Sequence, residues 1–150
     1  MESSSPAYVL VVAHKTAASP ALLDAIRERA ARGPAFFHLL VPHPAPPHWP
    51  AAHPERRQMI SEGERVLARA VPLIEAAAHR PTYGSVSTRH DVMDAIEEAV
   101  HDGDFDEIIL STLPPGLSRW LHVDLPHRVA HLGLPLTTVV AGKREAAELA

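Results

Sequence analysis

Two kinds of apolar pattern alternate along this chain. Tyr8, Val9, Leu10, Val11, Val12 and Ala13 form an unbroken apolar run, as expected of a strand buried on both faces. Ser19 and Pro20 follow as an N-cap and a first-turn proline, and Leu23, Ile26 and Ala30 recur at helical spacing until Gly33 and Pro34 stop the helix. Residues 35–41 read as a second buried strand, and 42–54 as a loop dense in proline and histidine. Pro54 opens the longest helix, with Met59, Gly63, Val66, Leu67, Ala70, Ile74 and Ala77 along one face. Residues 82–88 form a third strand, weakened by Gly84. Asp91 caps a helix that turns Val92, Met93, Ile96 and Val100 inward and ends at Asp102 and Gly103. Ile108, Ile109 and Leu110 make the fourth strand. Asp124 is the expected N-cap of one further helix, with Pro126 in its first turn and its end near His131 and Gly133. Leu136 to Val140 is the fifth strand, and a polar tail begins at Gly142.

Strands that alternate with helices predict an α/β domain, a parallel sheet with helices on both faces. Right-handed connections give five such units a doubly wound sandwich, for which the strand order 3-2-1-4-5 is expected. That order reverses between strands one and four, and the crevice at their carboxyl ends is where ligands bind in such sheets. It should be lined by residues 14–19 and 111–118. The 150 residues suit one domain, with a core over about 7–141 and a tail over 142–150.

Composition narrows the partners. Hydrophobic residues make up 46% of the chain, enough for a core, yet no apolar run nears the roughly 20 residues of a membrane span. No cysteine is present, and the N-terminal segment lacks the basic stretch of a secretory signal, so a cytoplasmic protein is expected. A net charge of −4 without a Lys/Arg block argues against nucleic acid as a partner.

The segments Tyr8–Ala13, Asp106–Thr112 and Gly116–Val140 resemble the universal stress protein family over nearly the whole chain. The telling stretch is FDEIILSTLPPGLSRWLHVDLPHRVAHLGLPLTTVVA. The resemblance implies the adenine nucleotide alpha hydrolase-like fold, a stress-response role and a homodimer joined through the fifth strand. ATP-binding members carry an aspartate after strand one and a G-x-x-G-x9-G-[S/T] run after strand four, whose glycines let backbone N–H groups reach phosphate. Here His14 stands at the aspartate position, Ser111 and Pro114 at the first two glycines, and Val123 and Asp124 at the last glycine and hydroxyl. Weak or absent ATP binding is therefore expected, Asp124 adding repulsion, and ATP is not assigned as a cofactor.

The loop Ser111–Arg119 is the most site-like segment. Ser111, Thr112 and Ser118 offer hydroxyls, and Arg119 a bidentate grip on phosphate or carboxylate. Against this, Ser111 and Thr112 serve equally to satisfy strand ends, and Arg119 to pair with a surface acid. The candidate ligand-binding set is His14, Ser111, Thr112, Gly116, Ser118, Arg119 and Asp124, for a small anionic or nucleotide-like ligand. Trp120 is suited either to stacking on a flat ligand or to packing under the loop, and Arg128 either adds a second charge or is solvated. Among eleven histidines, His127 and His131 share a helix face, but no His-Glu-x-x-His pattern exists, and no metal site is expected. The loop with His48, Trp49 and Pro50 reads as a lid, a partner contact or a segment folded back on the domain. No catalytic constellation appears, so the expectation is a non-enzymatic regulatory binding module. The alternative is a nucleotide enzyme with slow ATPase activity using Ser111–Arg119 and a metal ion.

Overall fold

The computed structural model describes residues 5–42, 50, 52–87, 89 and 91–142. A five-stranded, all-parallel sheet runs through it in the order β3-β2-β1-β4-β5, as the alternation predicts. The strands are β1 (Ala7–Val12), β2 (Ala35–Val41), β3 (Thr82–Val86), β4 (Glu107–Thr112) and β5 (Leu136–Val140). The helices are α1 (Pro20–Ala31), α2 (Pro54–Ala78), α3 (Val92–Asp102), α4 (Arg119–His122) and α5 (Leu125–Ala130).

The two-residue period of each strand divides the core. Val9 and Val11 of β1, with Ala13 just after it, join Phe37 and Leu39 of β2 under α1 and α2, where Ile26 and Ile74 are fully buried. Leu10, Val12, Ile108 and Leu110 point the other way, under Ile96 of α3 and Leu125 and Val129 of α5. Because both faces are covered, the central strands have no polar alternation to show in sequence.

Two contacts tie β4 to its neighbours. The Asp106 carboxylate accepts from the Tyr8 backbone N–H at 2.8 Å, while the Asp106 N–H donates to the Tyr8 carbonyl at 2.8 Å. Arg29 of α1 forks onto Glu107, at 2.8 and 3.0 Å from Nε and 2.6 Å from Nη2. This half-buried pair fixes the N-terminal end of β4 beneath α1.

Gly84, which weakens the sequence signal for β3, has a packing reason. A Cβ there would lie 2.7 Å from Leu67 Cδ2 and 3.1 Å from Val71 Cγ2 of α2. The glycine lets the long helix settle onto the edge strand, and β3 ends at Val86, two residues earlier than expected.

The helix expected from Asp124 is present as α5, and it is preceded by the short α4, which the sequence pattern does not announce. Asp124 sits between them in the left-handed region, at φ 56°, and its side chain makes no capping bond. Its carbonyl alone accepts from the Arg128 N–H, at 3.2 Å. The capping role assigned to the Asp124 carboxylate is therefore not the one it has. Among the described residues no helix is long and apolar enough to cross a membrane. Residues 43–49 and 143–150, which hold most of the His/Pro-rich loop and the polar tail, lie outside the described residues.

Candidate functional site

At the carboxyl ends of β1 and β4 the chain leaves the sheet in opposite directions. After β1, a turn carries the Ala17 N–H to the His14 carbonyl and the Ser19 N–H to the Thr16 carbonyl, at 3.2 and 3.0 Å. Ser19 Oγ then caps α1 by accepting from the Leu22 N–H at 3.2 Å. After β4, the Pro114 carbonyl accepts from both Leu117 and Ser118 N–H groups at 3.0 Å, and Gly116 takes a positive φ of 91°. Ser118 Oγ caps α4 through the Leu121 N–H at 3.1 Å.

The two exits are joined by one buried bond. Thr16 Oγ1 and Ser111 Oγ lie 2.6 Å apart, and both residues are essentially inaccessible. Ser111→Ala should leave the Thr16 hydroxyl buried and unpaired, costing about 1–3 kcal/mol, and adding Thr16→Val should recover part of that loss. Chemical denaturation of the two variants checks this; an unchanged midpoint for Ser111→Ala would show that the bond holds nothing.

Between the exits lies a cavity of about 330 Å³. Of the residues singled out in sequence, His14, Ser111, Thr112, Ser118 and Arg119 line it. Gly116 lines an adjoining cavity of about 340 Å³, which shares Leu117, Ser118 and Arg119 with the first. Asp124 and Arg128 line neither. The repulsion expected from Asp124 therefore has no geometric support, and Arg128 adds no charge to the cavity.

The hydroxyls have structural partners. Ser111 pairs with Thr16, Thr112 Oγ1 donates to the Leu113 carbonyl at 2.9 Å, and Ser118 caps α4. In the Thr16–Ser111 pair, one hydroxyl donates and the other keeps a proton to give. The positive charge comes from Lys15 and Arg119, opposed by Glu62 of α2. Burial lowers the His14 pKa below its ordinary 6.5, Glu62 raises it in part and Lys15 lowers it again. Burial thus favours the neutral form of the His14 imidazole. Trp120 lines the cavity and packs against the core beside α3 and α5.

Lys15 and Thr16 fall in the segment 14–19 expected to line the crevice, though neither is among the candidate ligand residues; Met59 and Glu62 of α2 were not foreseen. Met59 and Glu62 share a face of α2, three residues apart. In sequence Met59 reads as one more core position of that helix, yet it borders the cavity. Pro42 lines it too, from the start of the His/Pro-rich loop.

No family model matches the sequence, and no curated protein matches it. Solved structures do match in shape. A universal stress protein from Archaeoglobus fulgidus superposes with a TM-score of 0.64 at 14% identity, over 89% of this chain and 93% of that one. The chain has the universal stress protein fold. A universal stress protein family member from Arabidopsis thaliana, with AMP bound, superposes with a TM-score of 0.64 at 18% identity, over 93% of this chain and 95% of that one. The universal stress protein from Archaeoglobus fulgidus in complex with dAMP does so with a TM-score of 0.60 at 15% identity, over 90% and 98% of the two chains.

Proposed function

We propose that this chain is a non-enzymatic binding module of the universal stress protein type, holding a small anionic or nucleotide-like ligand in the cavity between β1 and β4. The carrying observation is that Lys15 and Arg119 meet Trp120 around one cavity at the sheet's switch point. Cations suit a phosphate or carboxylate, an indole suits a flat ring, and the switch point is where such folds take ligands. The volume stands at the small end of ligand pockets, which range over about 300–1,000 Å³. Proteins of the same fold hold AMP and dAMP, which favours a monophosphate-sized ligand. A regulatory, stress-response role inside the cell belongs to the same reading.

A triphosphate fits less well. Pro114 has no N–H to donate, and its carbonyl points into a turn already closed by Leu117 and Ser118. The one-turn α4 supplies little helix dipole to a phosphate chain. The engaged hydroxyls of Ser111, Thr112 and Ser118 support binding over turnover. Calorimetric titration with ATP–Mg²⁺ should give a dissociation constant weaker than about 10 μM, near −7 kcal/mol, with no phosphate release on prolonged incubation. Tight ATP binding with steady phosphate release would replace this reading with the ATPase one.

The same module is proposed to pair through β5. The Ile108 N–H donates to the Pro135 carbonyl at 2.9 Å and the Ala141 N–H to the Thr112 carbonyl at 2.9 Å. With a period of two, Leu136, Thr138 and Val140 therefore turn their backbone groups to the outer edge. An unpaired edge of this kind is a template for a second copy, and two-fold pairing is isologous. Val139 is a poor position for a disrupting charge, because it packs against the core under α1. Thr138→Pro removes an outward donor without touching the β4 ladder. It should turn a dimer into a monomer in sedimentation with circular dichroism unchanged. A wild-type protein that sediments as a monomer at about 100 μM contradicts the pairing.

A further inference from the structure

We propose that His127 and His131 form a binding site for a borderline-soft divalent cation such as Zn²⁺, Cu²⁺ or Ni²⁺. The site lies on α5, apart from the cavity between β1 and β4. His127 lies within α5, and His131 closes it while keeping helical backbone, at φ −69° and ψ −11°. The two histidines are four residues apart, so their side chains rise from one face. Leu125 and Val129 are buried in the core, whereas both histidines are exposed. The rings lie with centroids 4.7 Å apart and planes at 65°.

Two features suit these rings to a shared metal. First, His131 Nδ1 lies 2.9 Å from the His127 carbonyl oxygen. A carbonyl only accepts, so the proton sits on Nδ1 and the Nε2 lone pair is left for a ligand bond. Metal-bound histidines are held in this way, the second ring nitrogen donating to a backbone carbonyl or a carboxylate. Second, the spacing fits a shared metal. A metal bonded to a ring nitrogen at about 2.0–2.1 Å stands about 3 Å from the ring centroid, so two rings sharing one metal can have centroids up to about 6 Å apart, and the 4.7 Å separation lies within that reach.

The donor set selects the cation. Two neutral imidazoles favour Zn²⁺, Ni²⁺ and Cu²⁺ over Ca²⁺ and Mg²⁺, which want oxygen, and Cu²⁺ should bind tightest of the first-row series. Among the described residues no group of three or more metal-ligating side chains forms, so water would fill the remaining positions. Such a site is reversible rather than structural. Its occupancy would fasten the last turn of a six-residue helix, which is too short to hold itself without tertiary support.

The test is a calorimetric titration of Zn²⁺ into the full chain, with circular dichroism confirming the fold of each variant. His127→Ala and His131→Ala should each weaken the tightest Zn²⁺ site by about 100-fold, the loss expected when a two-point attachment becomes a one-point one. His131→Asn, which keeps a polar group at the end of α5, should weaken it equally. His101→Ala, which removes an exposed histidine of α3, should leave it unchanged. Retention of the wild-type affinity in His127→Ala or in His131→Asn would overturn the proposal and place the metal on other histidines.

Discussion

Arg119→Glu should weaken binding of AMP by about 100-fold, with the fold intact. Arg119 is exposed, begins α4 and makes no ion pair among the described residues, so its loss disturbs no packing. A hydrogen bond to a charged partner contributes about 1.5–3 kcal/mol, and charge reversal replaces that attraction with repulsion. The cavity is open to water, which screens the added repulsion, so the total is held at about 3 kcal/mol, or roughly 100-fold. Arg128→Glu is the matched control. It changes the same charge on an exposed side chain that lines neither cavity, and AMP affinity should stay within about twofold. Equal losses in the two variants would mean that general charge, and not the cavity, attracts the ligand.

Phe37→Ala should give the largest loss of stability of any single truncation in the sheet. Phe37 is 1% exposed in the middle of β2, with its ring in the core under α1 and α2. Its removal loses the transfer free energy of the ring and leaves a cavity that a close-packed sheet closes poorly. The expected cost is about 3–5 kcal/mol, out of a total stability of about 5–15 kcal/mol. For a domain of this size that lowers the thermal midpoint by roughly 10 °C. Tyr83→Ala removes an aromatic ring of similar size from β3, but Tyr83 is 68% exposed, and the cost should stay within about 1 kcal/mol. Denaturant midpoints of the two variants measure the contrast. Comparable losses at both positions would contradict the placement of the two faces.

The fold was legible because its central strands are buried on both faces. Val9 to Ala13 and residues 35–41 read as buried strands at their length, and their alternation with helices points to a doubly wound sheet. Asp91 was correctly read as a cap, its Oδ1 accepting from the Met93 N–H at 2.7 Å. Asp124 was not. The same residue type stands before an apolar run, but the chain has just left α4 and turns through a left-handed residue, a tertiary constraint that composition does not carry. The site was half legible for a related reason. His14, Ser111, Thr112, Ser118 and Arg119 follow the strand ends and could be found by topology. Met59 and Glu62 enter from α2, a helix distant in sequence whose spacing announces only a core face. The hydroxyls were visible as residues, whereas their engagement with Thr16, the Leu113 carbonyl and the Leu121 N–H depends on how two loops meet.

An amide NMR titration of the full chain with AMP tests the central claim most directly, because it reports where a ligand sits as well as whether it binds. The account predicts saturable shifts confined to Lys15, Thr16, Ser111 and the segment Leu113–Trp120, including the Trp120 indole, complete below about 1 mM AMP. Shifts only elsewhere, or none in these residues at that concentration, would contradict it.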